Sequence, residues 1–317
     1  MRLGYALSSE EHPPQDLVRY AREAEARGFD FCFISDHFHP WVSRQGHSPF
    51  VWSVLGAISQ TTSRIPFGTG VTAPIIRTHP AVIAHAAATT AAMLPGRFMF
   101  GVGTGENLNE HVVGEGWPDA DDRLAMLEEA IEVIRQLWTG EEVTFRGGHY
   151  KVDRARLYTL PDEPPPILIA AKGDKALEFA AQAGDGLVGL TPEREFIERF
   201  ESAGGRGKPR YGQLHVCWAE TESEAKRTAH EWWPNTAVPP KPTVDLASPA
   251  DFEEAAKEVS AEDVAEKVTL GPDPKTHLDA IREYEDAGYD HVYVHQIGPD
   301  QDGFFRFYSE EILPEVR

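Results

Sequence analysis

The stretch Phe31-Cys32-Phe33-Ile34-Ser35-Asp36-His37-Phe38-His39-Pro40-Trp41 decides the fold. Its first half is an apolar run of strand length. Its second half packs an acid, two imidazoles and an indole into six residues, which no simple turn needs. Seven other apolar runs accompany it, at 2–8, 65–74, 97–106, 166–173, 186–192, 211–221 and 291–297, and each of the eight is followed by a helix-patterned stretch. Eightfold strand–helix alternation predicts a (β/α)8 barrel, a TIM-barrel fold, whose chemistry gathers at the C-terminal ends of the strands. The segment 36–41 falls at such an end.

The intervening pieces carry the helical period. Leu17, Ala21, Ala24 and Phe29 fall on one face of the first, and Leu124, Leu127, Ile131, Ile134 and Leu137 form a stripe in the helix expected over 121–138. Two stretches break the alternation. Residues 142–161 alternate in strand fashion around Gly147-Gly148, which predicts a hairpin-like insertion. Residues 234–250 are Pro-rich and predict an excursion over the barrel mouth. One domain spanning 1–317 is the expectation, since a barrel of this kind fills roughly 200 to 400 residues.

Composition narrows the function. The formal net charge is −21, which argues against nucleic acid as a partner over most of the surface. No apolar run approaches the ~18 residues of a membrane span. Cys32 and Cys217 lie in strands that are not neighbours, so free thiols in a cytoplasmic protein are expected. Nine of the 30 basic residues are lysine. High acidity with few lysines fits hydration in concentrated salt, and it fits equally a GC-rich coding bias.

Three strand ends carry chemistry. His37 and His39 form an H-x-H pair of the kind that holds a divalent metal in barrel hydrolases, but the runs ending at 173 and 192 supply no third imidazole. Gly101, Gly103 and Gly105 bare the backbone of the fourth run to a ligand, and Glu106 directly after them is placed for proton transfer. Gly68 and Gly70 fit either a close ligand contact or a bend.

Ser35-Asp36-His37-Phe38, Gly68-Thr69-Gly70-Val71, the run from Gly101 to Glu110 and Ala183-Gly184-Asp185-Gly186 together resemble the bacterial luciferase-like superfamily. Within it the chain is most similar to the deazaflavin branch typified by F420-dependent glucose-6-phosphate dehydrogenase. The likeness runs nearly end to end. It implies coenzyme F420 as cofactor and hydride transfer from a CH–OH group of an alcohol, sugar or sugar phosphate. It further implies a cytoplasmic homodimer. His37 is then the base for the hydroxyl proton, Trp41 lies near the reacting carbon, Glu106 supplies a proton beyond the ring, and Glu10 is an acidic pocket residue. The Gly70-Val71 bond corresponds to a non-proline cis peptide behind the ring. Asp36, Thr104, Gly105 and Asn109 meet the cofactor, and Lys172 and Gly173 meet its phosphate. Where sugar-phosphate members carry a lysine this chain has Glu193, beside Arg194; Lys267 replaces an arginine of that pocket, and Lys241 approximates another basic contact. Glucose 6-phosphate is therefore the less expected substrate. The alternatives are an FMN-dependent monooxygenase on the same barrel and a metal-dependent barrel hydrolase.

Overall fold

The computed structural model describes residues 1–239 and 243–316; Lys241 lies outside the described residues. The strands are β1 (Arg2–Leu7), β2 (Phe31–Ile34), β3 (Phe67–Thr69), β4 (Phe98–Val102), β5 (Val143–Arg146), β6 (Lys151–Ala155), β7 (Ile167–Ala170), β8 (Gly186–Gly189), β9 (Arg210–Cys217), β10 (Thr269–Leu270) and β11 (His291–Gln296). Eight of them pair in parallel in the order β1-β2-β3-β4-β7-β8-β9-β11, and β11 returns to β1. The sheet is thus closed and has no free edge. Each of the eight apolar runs supplies one barrel strand. β5 and β6 pair antiparallel outside the barrel, and their turn is held by Glu129, whose carboxylate accepts from the amides of Gly148, His149 and Tyr150. β10 adds two residues beside the outer end of β9.

Strand alternation sends every second side chain into the barrel. Ala6, Phe31, Phe33, Leu168, Val188, Tyr211 and Tyr293 fill it as a plug separate from the larger core between sheet and helices. The rings need room, and two glycines provide it. A Cβ on Gly4 would strike the ring of Phe31 at 2.5 Å, and one on Gly68 would strike Phe33. The lower barrel is therefore filled by side chains.

The helices follow the apolar stripes with small departures. The first runs over Pro14–Arg27 and buries Leu17, Tyr20, Ala21 and Ala24. Phe29 is buried but lies beyond the helix, because Gly28 turns the chain left-handed at φ 88°. The helix Ala120–Leu137 buries Leu127, Ile131, Ile134 and Leu137 but leaves Leu124 half-exposed, since Arg123 takes the buried position at its first turn. No helix among the described residues is long and apolar enough to cross a membrane.

Glu25 ties the first helix to the loop before β3. Its carboxylate accepts from the amides of Ser63, Arg64 and Ile65. These bonds outweigh desolvation and hold it below the ordinary carboxylate range. A carboxylate with a depressed folded pKa stabilises above its unfolded pKa, and that contribution is lost as pH falls through the folded value. Glu25→Gln is expected to lower Tm at neutral pH, with the gap to wild type closing in acid; thermal melts across pH check this. A gap unchanged in acid would mean that the charge is not what the amides hold.

Candidate active site

After Ile34 the chain swings into the barrel mouth. Glu10, 3% exposed, anchors that turn. Its Oε2 accepts from the hydroxyls of Ser35 at 2.7 Å and Ser8 at 3.1 Å. Its Oε1 lies 3.3 Å from His37 Nε2, and Glu106 Oε2 lies 3.8 Å from the same nitrogen. His37 Nδ1 is 3.2 Å from the carbonyl of His39 and donates to it. Nε2 is thus the ring nitrogen that faces the two carboxylates. The Trp41 ring packs 5.0 Å from the imidazole, and its backbone N–H donates to Gln45 at 2.8 Å.

His39 takes no part in this convergence. Its Nδ1 donates to the carbonyl of Leu108 at 2.8 Å and its ring stacks on His111. The Nδ1 atoms of the H-x-H pair are thus held by two different backbone carbonyls, those of His39 and Leu108. Asn109 accepts from the amides of Phe38 and His39 at 2.9 and 3.3 Å, so it shapes the loop that carries His37.

Asp36 is buried behind the loop. Its Oδ2 accepts from Thr72 Oγ1 and its Oδ1 pairs with Arg77, each at 2.8 Å. The Arg77 amide in turn donates to Glu110 Oε2 at 2.8 Å, and its guanidinium lies 3.8 Å from Glu110 Oε1. Burial lifts Glu110 above the usual carboxylate range against the attraction of Arg77. Each Asp36 carboxylate oxygen thus has a partner in the framework behind the loop.

On the facing wall the Gly70-Val71 bond is cis. A Cβ on Gly101 would strike the carbonyl of Thr69, and one on Gly103 would meet Val71 Cγ2 at 2.9 Å. The glycines let β4 lie flat against this bulge. Beyond them the N–H groups of Thr104, Gly105 and Glu106 make no hydrogen bond among the described residues. Glu106 keeps 34% of its side chain accessible, yet crowding in the mouth raises its pKa, helped by Glu10 and opposed by His37 and Lys172. Lys172 and Gly173 are exposed at the end of β7, where Gly173 caps the helix Asp174–Ala183 without a side-chain acceptor. Its first amides are open to an anion.

The three residues expected at a substrate phosphate do not converge. Glu193 is exposed and accepts from Thr191 Oγ1 at 3.0 Å. Arg194 turns to the outer wall, where its guanidinium donates to the carbonyl of Asp286 in the helix Pro274–Ala287. Expected at the substrate pocket, Arg194 opens the helix Arg194–Phe200 with its guanidinium engaged by that carbonyl. Lys267 is exposed and forms no ion pair among the described residues.

Arg77 carried no signal in the sequence, because its partners lie 41 and 33 positions away. A second group was also missed. Glu11, fully buried, accepts from His295 Nε2 at 2.6 Å and from the Gly298 amide at 2.8 Å. His295 Nδ1 lies 2.9 Å from His215 Nδ1. His295 falls on the inward face of β11 by alternation, but only the β9–β11 register sets His215 opposite it.

A closed parallel barrel whose mouth holds an imidazole between two carboxylates, beside a glycine-bared wall, defines an enzyme scaffold of the (β/α)8 class. Comparison with known proteins narrows it. Residues 1–291 match the luciferase-like monooxygenase family, and the chain belongs to that family. It is 37% identical to an F420-dependent glucose-6-phosphate dehydrogenase of Nakamurella multipartita, over 100% of this chain and 97% of that one. It is equally 37% identical to the protein of that name from Microbacterium testaceum, over 100% and 98%. Its fold is similar to an F420-dependent secondary alcohol dehydrogenase solved with an F420-acetone adduct, with TM-score 0.92 and 29% identity over 100% and 99% of the two chains.

Proposed function

We propose that this protein is a coenzyme F420-dependent dehydrogenase that oxidises a CH–OH carbon, with His37 as the base. The observation that carries the reading is His37 Nε2 set 3.3 Å from Glu10 and 3.8 Å from Glu106. Losing a hydride builds carbonyl character only as the hydroxyl proton leaves, so a neutral imidazole at the hydroxyl lowers the barrier. The imidazolium formed is stabilised by Glu10, which is buried and kept in place by Ser8 and Ser35. Trp41 walls the site and limits water around the reacting carbon.

The chain's own groups fit the cofactor. The uncommitted amides of Thr104, Gly105 and Glu106 suit its ring oxygens, and Val71 on the cis bulge offers an apolar backing. Lys172 and the helix end at Gly173 suit a phosphate. When bound, the deazaflavin accepts the hydride. Glu106, with its raised pKa, holds a proton at the mouth into a range where ordinary carboxylates have lost theirs.

Affinity for oxidised deazaflavin is expected to exceed that for FMN by at least tenfold, read by fluorescence titration. Equal affinity with oxygen-dependent turnover of FMNH2 would favour the monooxygenase reading. The substrate is proposed to be uncharged. Arg194 faces outward and Glu193 is acidic, so kcat/KM for a secondary alcohol or free sugar is expected to exceed that for glucose 6-phosphate. Side-by-side kinetics decide the point, and preferred glucose 6-phosphate would refute it.

A further inference from the structure

A small apolar cluster stands apart from the main core and joins the segments that carry the site. Its buried members are Val42, Leu108 and Phe252, and Trp41 and Leu246 pack against them. Three segments supply these five side chains. Trp41 and Val42 belong to the loop that carries His37, and Leu108 follows Glu106 by two positions. Leu246 and Phe252 come from a strap, residues 244–253, in the stretch between β9 and β10. None of the five lies in a barrel strand, so the cluster packs loop upon loop.

The strap is bonded to both loops. At one end the Asn107 amide donates to the carbonyl of Val244 at 3.0 Å, and its side-chain amide donates to the carbonyl of Asp245 at 2.8 Å. The Trp117 indole N–H adds a bond to Asp245 Oδ1 at 3.0 Å. At the other end Glu253 Oε1 accepts from the Ser43 amide at 2.8 Å. One anchor thus adjoins Glu106 and the other lies two residues past Trp41. Between them runs the short helix Pro249–Ala255, capped by Ser248, and Phe252 is the residue it buries. The Phe252 ring, 1% exposed, meets the Trp41 indole edge-on, with centroids 5.1 Å apart and planes at 81°. His37 stands 5.0 Å from the same indole. The Trp41 backbone is tied to Gln45, but its ring is placed by packing. That ring also meets the cluster containing Trp233 and Ile297, which supports the loop when Phe252 is trimmed.

We infer that Phe252 is a positioning residue: carried by the strap, it fixes the Trp41 indole beside His37 and so sets the largest secondary alcohol that the site accepts. This rests on the proposed dehydrogenase reading, in which Trp41 walls the reacting carbon, and it specifies the substrate range. A ring removed from a closed cluster leaves a void that its neighbours fill only in part. Trp41 is half-buried and has room to relax into that void, and space vacated by the indole is space gained in front of His37. A Phe252 that merely filled volume would affect every alcohol alike.

The experiment has two arms and three variants. Phe252→Ala removes the ring, whereas Phe252→Leu and Phe252→Met keep most of the bulk. The first arm needs no turnover. The protein is labelled with 5-fluorotryptophan, and the Trp41 fluorine line is assigned by its loss in Trp41→Phe. Losing a neighbouring ring current moves the line in any case, so its width is the readout. A single narrow line is expected in wild type, splitting or broadening severalfold in Phe252→Ala and less in the Leu and Met variants. A line as narrow as wild type in the folded variants would overturn the inference. The second arm compares 2-propanol, 3-pentanol and 4-heptanol as substrates of the F420-loaded enzyme. The ratio of kcat/KM for 4-heptanol to that for 2-propanol is expected to rise at least about tenfold in Phe252→Ala, since even one methylene in a closed pocket is worth that much. The rise should be smaller in the Leu and Met variants and should lie mainly in KM, with F420 affinity unchanged. A ratio that stays constant or falls would sink the positioning role while the dehydrogenase reading stands. Failure of wild type to reduce F420 with any alcohol would instead strike that reading, and the size limit with it. Should Phe252→Ala not fold, the Leu and Met variants decide both arms.

Discussion

His37→Ala is expected to lower kcat by about two to four orders of magnitude, the usual worth of a positioned general base. Deazaflavin affinity should change little, because the imidazole points at Glu10 and Glu106 and not at the glycine-bared wall. Pre-steady-state reduction of F420 by a secondary alcohol separates the hydride step from product release and is the measurement of choice. Two companions sharpen it. Glu10→Gln removes the charge that stabilises the imidazolium and should slow the same step with the fold intact, since the amide oxygen can still accept from Ser35. Glu106→Gln should slow it too, and should remove a limb of the pH profile at the raised pKa of that carboxylate. Near-wild-type single-turnover rates in His37→Ala would take the residue out of the mechanism.

Arg77→Met is expected to destabilise the protein by about 3–5 kcal/mol, the cost of removing one partner from a buried charged cluster. The guanidinium is 13% exposed and is the cation between Asp36 and Glu110, whose side chains are 2% and 1% exposed. Without it two carboxylates face each other in a dry pocket with Thr72 alone as a donor to Asp36. Methionine fills the volume but cannot answer either charge. Arg77→Lys should recover only part of the loss, because an ammonium cannot bridge the two acids with a planar fork. The sign with pH is set by the variant's unpaired acids: each raises its pKa, so the deficit should shrink as pH falls and they take up protons. Urea unfolding at neutral and acidic pH measures both effects. A deficit below about 1 kcal/mol, the worth of a solvated pair, would mean that water already reaches the cluster. The loop carrying His37 begins at Asp36, so activity should fall along with stability.

Much of this protein was legible in its residues because the signals are local. Strand and helix periods are written within ten residues, and eight of them in order admit few closures other than a barrel. Proximity to a strand end marked His37, Trp41, Glu106 and Glu10, since chain direction alone places them at one mouth. The hairpin turn at Gly147-Gly148 was readable in the same way. Its anchor was not, because Glu129 stands 19 positions before Gly148 on a separate helix.

What the sequence could not decide is which neighbours a side chain meets once the barrel closes. His39 has the same chemistry as His37, yet a carbonyl at Leu108 draws it away. Arg194 follows the mouth loop directly, yet it faces out, because it begins a helix packed against the end of another. Asp36 was expected at the cofactor by resemblance, and its carboxylate is held by Arg77 and Thr72, brought in from the segment after β3. His215 and His295 are 80 positions apart and become a single group only through the β9–β11 register. The residue pattern thus determined the barrel and the end at which chemistry sits, through periodicity and chain direction. Tertiary structure alone decided which of the candidate groups are free to act, because that depends on hydrogen bonds between residues with no relation along the chain.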